Sequence, residues 1–233
     1  MIVDVVMLSD GKTLELRQMT QNAIDSIHAS NCSGIVFNVT VFEKQFGIAP
    51  SGQTVVFVCP ELGQYAGYFR ATTYLQVGEF NYNRYMNEGT RMGSAEWVVW
   101  ANNDIRAEND FMSHIIYASD LLGISSWCCY DPKCHDKQYP LENRPATDEG
   151  FTIRRQICGW FIVARRIIWD IIGGLDESHS FWYSDNSYAE QLQRYNFRHA
   201  LNLEAVVKHL HSKTLFTLPL EQQLKFTEGT IPE

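Results

Sequence analysis

Glu96-Trp97-Val98-Val99-Trp100-Ala101-Asn102-Asn103-Asp104 is the stretch that sets the fold class. A run of apolar β-formers ends abruptly in three polar residues, the pattern of a buried strand whose C-terminal end reaches solvent. Before it, Tyr82 to Met92 suits a helix capped by Asn81 or Asn83. After it come a helix near Glu108 to Leu122 and a strand at Ile124 to Tyr130. Open α/β sheets take ligands in the crevice beyond the carboxyl ends of their strands, so Asn102-Asn103-Asp104 stands where a ligand is expected.

Working outward, Ile2 to Leu8 reads as a buried first strand followed by the turn cluster Ser9-Asp10-Gly11. Residues 12–29 place Leu16, Met19, Ala23, Ile24 and Ile27 at helical spacing. Ile35 to Phe42 and Thr54 to Cys59 are further strands around a turn at Gly47 to Gly52, the first of them parallel to the opening strand across the helix. Residues 131–150 read as one long loop. Phe151 to Ala164 holds a strand or two, and Gly173-Gly174 stops a helix at Arg165 to Ile172. A helix at Asp185 to Tyr195 and a strand at Ala200 to Val207 complete an α/β unit with a mixed sheet, and the tail after Thr217 is peripheral.

The length of 233 residues and 45% hydrophobic content suit a single domain. No apolar run reaches the roughly 18 residues of a membrane span, and the N-terminus lacks a signal-peptide pattern, which predicts a cytosolic chain without an anchor. The six cysteines lack a disulfide framework, and Cys128-Cys129 with Cys134-His135 lacks a second half at zinc spacing, so reduced thiols are expected. The net charge is −8, with ten basic and eighteen acidic residues in 1–150 and nine of each in 151–233. That balance argues against nonspecific nucleic-acid binding by the whole surface. A local basic patch from Arg154, Arg155, Arg165, Arg166, Lys208 and Lys213 is expected to face a phosphate-bearing ligand, scattered solvated charges being the alternative.

Three constellations carry chemistry. Asp104 is placed to hold a divalent ion that offsets the charge of a departing diphosphate, although an Asp after a strand also serves as a turn residue or cap. Asp185 follows Phe181-Trp182-Tyr183-Ser184 at a helix start; it is either an N-terminal cap or a general base, with the aromatics as core or as a platform for a sugar ring. His209 and His211 alternate in an extended segment and so face one way, suited to metal or diphosphate. A nucleotidyltransferase would want a Gly-rich basic loop early in the chain, and Ser9-Asp10-Gly11-Lys12 has one glycine.

In order and spacing these segments resemble the family 2 type of GT-A glycosyltransferase over roughly residues 2–214. Val5 to Ser9 looks like that family's first strand, Asn87-Glu88-Gly89 its small helix motif and Trp97 to Asp104 its metal strand. Gly159-Trp160-Phe161 with Arg165-Arg166, and Ile172 to Glu177, look like its acceptor segment. Ser184-Asp185 stands at its base motif, and Val207-Lys208-His209 resembles its last strand. The stretch Phe80 to Gly89 is similar to small phage glycosyltransferases, some of which modify hydroxymethylcytosine in DNA.

The resemblance implies a single Rossmann-like GT-A domain with a mixed, mainly parallel sheet flanked by helices. It implies a donor half at 1–104, an acceptor half at 105–216 and a tail at 217–233. The reaction implied is inverting transfer from a nucleoside diphosphate sugar, commonly a UDP-sugar. Ser9, Asp10, Glu43, Arg84 and Asn102 would contact the nucleotide, Asp104 and His209 would hold Mn2+ or Mg2+, and Asp185 would be the base. Trp160, Asp176, Trp182 and Tyr183 would line the acceptor, a glycan or modified DNA. The family's Asp-x-Asp is here Asn102-x-Asp104, and Glu43 stands in place of an Asp. A catalytically inert sugar-nucleotide-binding protein is the competing class.

Overall fold

A computed structural model describes residues 1–11, 13–44, 56–59, 63–181 and 183–210. The expected turn at Gly47 to Gly52, Trp182, His211, Lys213 and the tail after Thr217 lie outside the described residues. The chain runs β1 (Ile2–Ser9), α1 (Leu14–Ala29), β2 (Val36–Glu43), β3 (Val56–Cys59), β4 (Gly63–Ala66), β5 (Thr72–Leu75), α2 (Tyr82–Met92), β6 (Trp97–Ala101) and β7 (Ile105–Ala107). It continues through α3 (Phe111–Leu122), β8 (Ser126–Tyr130), α4 (Pro132–His135), β9 (Thr147–Glu149), β10 (Phe161–Arg165), α5 (Arg166–Ile172), α6 (Ser184–Arg194) and β11 (His199–His209).

The main sheet has the order β5-β2-β1-β6-β10-β8-β11-β7, with β9 also on β11, while β3 and β4 form a separate hairpin. Strands β5, β2, β1 and β6 are parallel, β10 runs against both β6 and β8, and β11 is parallel to β8. The carboxyl ends of β2, β1, β6, β8 and β11 therefore meet the start of β10 along one edge.

The continuous apolar run of β6 is explained by burial on both faces: every residue from Trp97 to Ala101 is buried, with Trp97, Trp100 and Trp127 among the largest enclosed side chains. Helix α1 is capped by the Thr13 hydroxyl, which accepts from Leu16 N at 3.2 Å. Asn81, one of the two expected caps, caps α2 by accepting from Arg84 N at 2.9 Å. The Asn87-Glu88-Gly89 motif has a packing role. A Cβ at Gly89 would lie 2.4 Å from Val6, so only glycine lets α2 rest on β1 there. Asn87 exchanges hydrogen bonds with Leu175 N and O, both 2.8 Å, and accepts from Trp169 Nε1 at 2.9 Å, clamping the Gly173-Gly174 turn onto α2.

One expectation is corrected. Residues 131–150 carry α4, a 3-10 turn at Leu141–Asn143 and β9, which pairs with β11, because the long-range partner supplies the order that local sequence lacks. Of Phe151 to Ala164, the part before Phe161 is turns with one Ile153–Ile157 bridge, and β10 is the only strand. Among the described residues no helix is long and apolar enough to cross a membrane. Cys32, Cys128, Cys129, Cys134 and Cys158 are unpaired thiols.

Candidate functional site

The Asn102-Asn103-Asp104 turn leaves β6 and enters β7, which pairs antiparallel with the end of β11, setting Ile105 opposite His209. That register, closed by Leu210 N donating to Asp104 O at 2.8 Å, brings together residues 105 positions apart. His209 Nε2 lies 3.1 Å from Asp104 Oδ1, and both side chains are nearly buried. The reach of β11 depends on a register shift between Asn202 and Val206, where Asn202 Oδ1 accepts from Glu204 N and Ala205 N, each at 2.9 Å. Trp160 stacks flat on His209, ring centroids 5.3 Å apart and planes 7° from parallel, while its carbonyl accepts from Asn102 N at 2.9 Å.

Two donors about 2.1 Å from one octahedral ion and at right angles to each other lie about 3.0 Å apart. The Asp104–His209 separation fits adjacent vertices of such a shell. A third His, Cys, Asp or Glu does not join them among the described residues, so a bound ion would complete its shell from diphosphate oxygens and water.

Asp185 sits in the first turn of α6 and does not cap it; the residue before the helix is Tyr183, at φ 74°. Its Oδ1 accepts from Asn186 N at 3.0 Å, and the Gly159 N–H also stabilises the carboxylate. Gly159 packs closely there: a Cβ would come 3.2 Å from Asp185 Cβ, so a side chain would have to shift Asp185 by a few tenths of an ångström. Burial pushes the Asp185 carboxyl above its ordinary pKa, opposed by its backbone hydrogen bonds and by the Arg154 guanidinium. Tyr82, the first residue of α2, is buried with its phenol held protonated chiefly by burial, and then by the charges of Asp185 and Asp104. The charges of Asp185 and Asp104 thus both reach Tyr82. Sequence reading placed Gly159 in the acceptor segment and gave Tyr82 no role beyond the start of a helix; the only signal for Tyr82 was a tyrosine directly after a cap.

Ser9 and Glu43, expected at the nucleotide, are buried and hydrogen-bonded inside the protein. Glu43 Oε1 accepts from Gly11 N at 2.6 Å, and Oε2 accepts from the Tyr68 hydroxyl. Ser9 Oγ lies 2.8 Å from the Tyr68 hydroxyl and 2.9 Å from Thr20 Oγ1, which accepts from Asn103 Nδ2 at 3.0 Å. Asp10 lies 3.5 Å from Lys44 Nζ. Arg84 Nη2 donates to the carbonyls of Val77 and Glu79 at 3.0 and 2.6 Å, bracing the loop ahead of α2. Of the residues expected at the acceptor, Asp176 accepts at Oδ1 from Ser178 N at 2.9 Å, and Tyr183 packs on His179 with ring centroids 5.6 Å apart. Phe181 joins the ring cluster of Phe80 and Tyr82.

Four members of the expected basic patch are engaged in ion pairs, and Lys213 lies outside the described residues. Arg155 pairs with Asp148 at 3.1 Å, Arg165 with Glu96 and Asp120, Arg166 with Asp4 at 2.7 Å, and Lys208 with Glu108 at 2.6 Å. Their carboxylate partners come from distant segments, which is why runs of basic residues in sequence misled.

No family model and no curated protein sequence matches the chain. Solved structures do. The Drosophila β1,4-galactosyltransferase 7 catalytic domain with xylobiose aligns over 97% of this chain and 79% of its own, at 11% identity and TM-score 0.52. A mutant of that enzyme with manganese, UDP-Gal and xylobiose gives a TM-score of 0.50. S. aureus TarS 1–349 covers 87% of this chain and 58% of its own, at 11% identity and TM-score 0.54. The mannosyltransferase PcManGT from Pyrobaculum calidifontis, with GDP-Man and Mn2+, covers 91% and 57%, at 12% identity and TM-score 0.56. At such identities the likeness is one of fold: this chain has the single-domain α/β GT-A fold of these glycosyltransferases, with its mixed sheet flanked by helices.

Proposed function

We propose that the chain is an inverting, metal-dependent glycosyltransferase that moves a sugar from a nucleoside diphosphate sugar, with a UDP-sugar as first choice, onto an acceptor hydroxyl. The observation that carries this reading is the Asp104–His209 pair, 3.1 Å apart, together with the half-buried carboxyl of Asp185, whose charge, like that of Asp104, acts on Tyr82. Residues 1–104 form the donor half and residues 105–216 the acceptor half. Asp104 and His209 hold Mn2+ or Mg2+, whose chemistry is to offset the charge of the departing diphosphate. Asp185 takes the proton of the acceptor hydroxyl as that oxygen attacks the anomeric carbon from the face opposite the leaving group. Trp160, held flat against His209, fixes the imidazole plane and borders the acceptor side with Tyr183 and Asp176.

A saccharide acceptor is favoured over hydroxymethylcytosine in phage DNA, because Arg155, Arg165, Arg166 and Lys208, four of the residues expected to meet DNA phosphates, are engaged in ion pairs and the net charge is −8. The test is nucleoside diphosphate release from UDP- and GDP-sugars with Mn2+ or Mg2+, alone and with xylobiose-type saccharides or hydroxymethylated DNA. Stimulation by saccharide is the expected result. Stimulation by DNA alone would overturn the acceptor class, and donor binding with no release would identify an inert binding protein. In the same assay, Asp104→Ala is expected to weaken metal-dependent donor binding by at least about tenfold, measured by calorimetric titration with Mn2+. Equal affinity would remove Asp104 from the metal site.

A further inference from the structure

The buried contacts that begin at Glu43 have a direction that follows from counting protons. The Tyr68 hydroxyl has one hydrogen, and it goes to the Glu43 carboxylate. Ser9, 2.8 Å from that phenol oxygen, makes a hydrogen bond there only by donating. Its own proton being spent, its 2.9 Å contact with Thr20 requires Thr20 to donate, with the Leu16 carbonyl at 3.1 Å as the competing acceptor. Asn103 Nδ2 donates into Thr20. Every link therefore points from the Asn103 amide toward the negative charge of Glu43. All five residues are less than a tenth exposed. The charge of Glu43 also helps to keep the Tyr68 proton in place, after burial as the larger cause.

We infer that Glu43, Tyr68, Ser9 and Thr20 form a one-way hydrogen-bond relay that fixes Asn103, and through it the turn carrying Asp104, so that the metal-binding and nucleotide-binding ends of the crevice are held as one unit. Ser9 and Glu43 are then positioning residues and not ligand contacts. This account also gives the middle Asn of Asn102-Asn103-Asp104 its role: a side-chain amide donor that anchors the turn through Thr20 while Asp104 meets His209. The metal part of the inference rests on the glycosyltransferase reading.

The test compares Thr20→Val, which keeps the shape and removes the hydroxyl, with Thr20→Ser, which restores it; Tyr68→Phe breaks the relay one link further on. Mn2+ is titrated with UDP or GDP present, and thermal unfolding checks that each variant is folded. Thr20→Val and Tyr68→Phe are expected to bind Mn2+ about five- to tenfold more weakly, Thr20→Ser within about twofold of wild type, and metal-free UDP is expected to bind all of them alike. Wild-type Mn2+ affinity in Thr20→Val, or an equal loss in Thr20→Ser, would overturn the relay. Amide hydrogen exchange needs no ligand: residues 102–105 should exchange faster in Thr20→Val than in Thr20→Ser, and equal rates would overturn the relay as well. If wild-type protein binds Mn2+ with neither nucleotide, the functional reading fails, and the exchange comparison decides the relay by itself.

Discussion

Asp185→Asn is expected to lower kcat by about 10²- to 10⁴-fold while leaving donor affinity unchanged, because it removes a proton acceptor and little else. Asn has the same shape and keeps an oxygen for the Asn186 and Gly159 N–H groups that now hold the carboxylate. The accompanying change in stability separates a base from a structural residue. Burial raises the folded-state pKa of Asp185, so the ionised form is disfavoured in the folded protein. The stability linked to this group is present below its unfolded pKa and is lost as pH rises through the folded value. At neutral pH the ionised carboxylate thus costs stability, and Asn relieves that cost. Tm should stay level or rise while turnover collapses; a fall in both would make Asp185 a structural residue. The acidic limb of kcat against pH should sit above the usual carboxylate range in wild type, since Asp185 must be ionised to accept a proton, and it should vanish with the variant.

Asp4→Ala is expected to cost about 3–5 kcal/mol, or roughly 6–20 °C in Tm for a chain of this size. Asp4 is buried within β1 and accepts from Asn38 Nδ2 at 3.0 Å, Ala95 N at 2.8 Å and Arg166 Nη2 at 2.7 Å. Arg166 in turn donates to the carbonyls of Ala95 and Thr90 at 2.7 and 2.5 Å. Removing the carboxylate leaves a partly buried guanidinium with no counter-charge in the pair, which is the costly way to break such an interaction. Gly93 seals the site, since a Cβ there would fall 2.0 Å from Asp4 Oδ2. Equilibrium urea unfolding measures the effect. A loss below about 1 kcal/mol would class the pair with exposed ion pairs.

The Asp4–Arg166 pair also shows where sequence reading stops. Strands β1 and β6 and helices α1, α2 and α3 were legible because apolar periodicity and caps are local properties. Thr72–Leu75 was missed because a four-residue strand lying last in the sheet order, with an alternating exposed pattern, carries little apolar signal. Strand β9 was read as loop because its order comes from β11, fifty residues away. Asp104 and His209 were each named from local context, but what joins them is the β7–β11 ladder, which no spacing rule conveys. Arg154-Arg155 and Arg165-Arg166 looked like a patch because the carboxylates that engage Arg155, Arg165 and Arg166 are invisible at short range. Tyr68 and Thr20 gave no signal at all, and Asn103 was read only as part of a turn, because their meaning lies in contacts between distant segments.

The reversed strand β10 has a consequence for how the chain is made. It lies between β6 and β8, so the early part of the sheet and the later part share no ladder until Phe161–Arg165 arrives. A nascent chain emerging from the ribosome with its first 160 residues carries two open, strongly apolar strand edges at Trp97–Ala101 and Ser126–Tyr130. Five residues late in synthesis close both at once, which makes the interval before their release the period of greatest exposure to aggregation and of greatest need for chaperone cover.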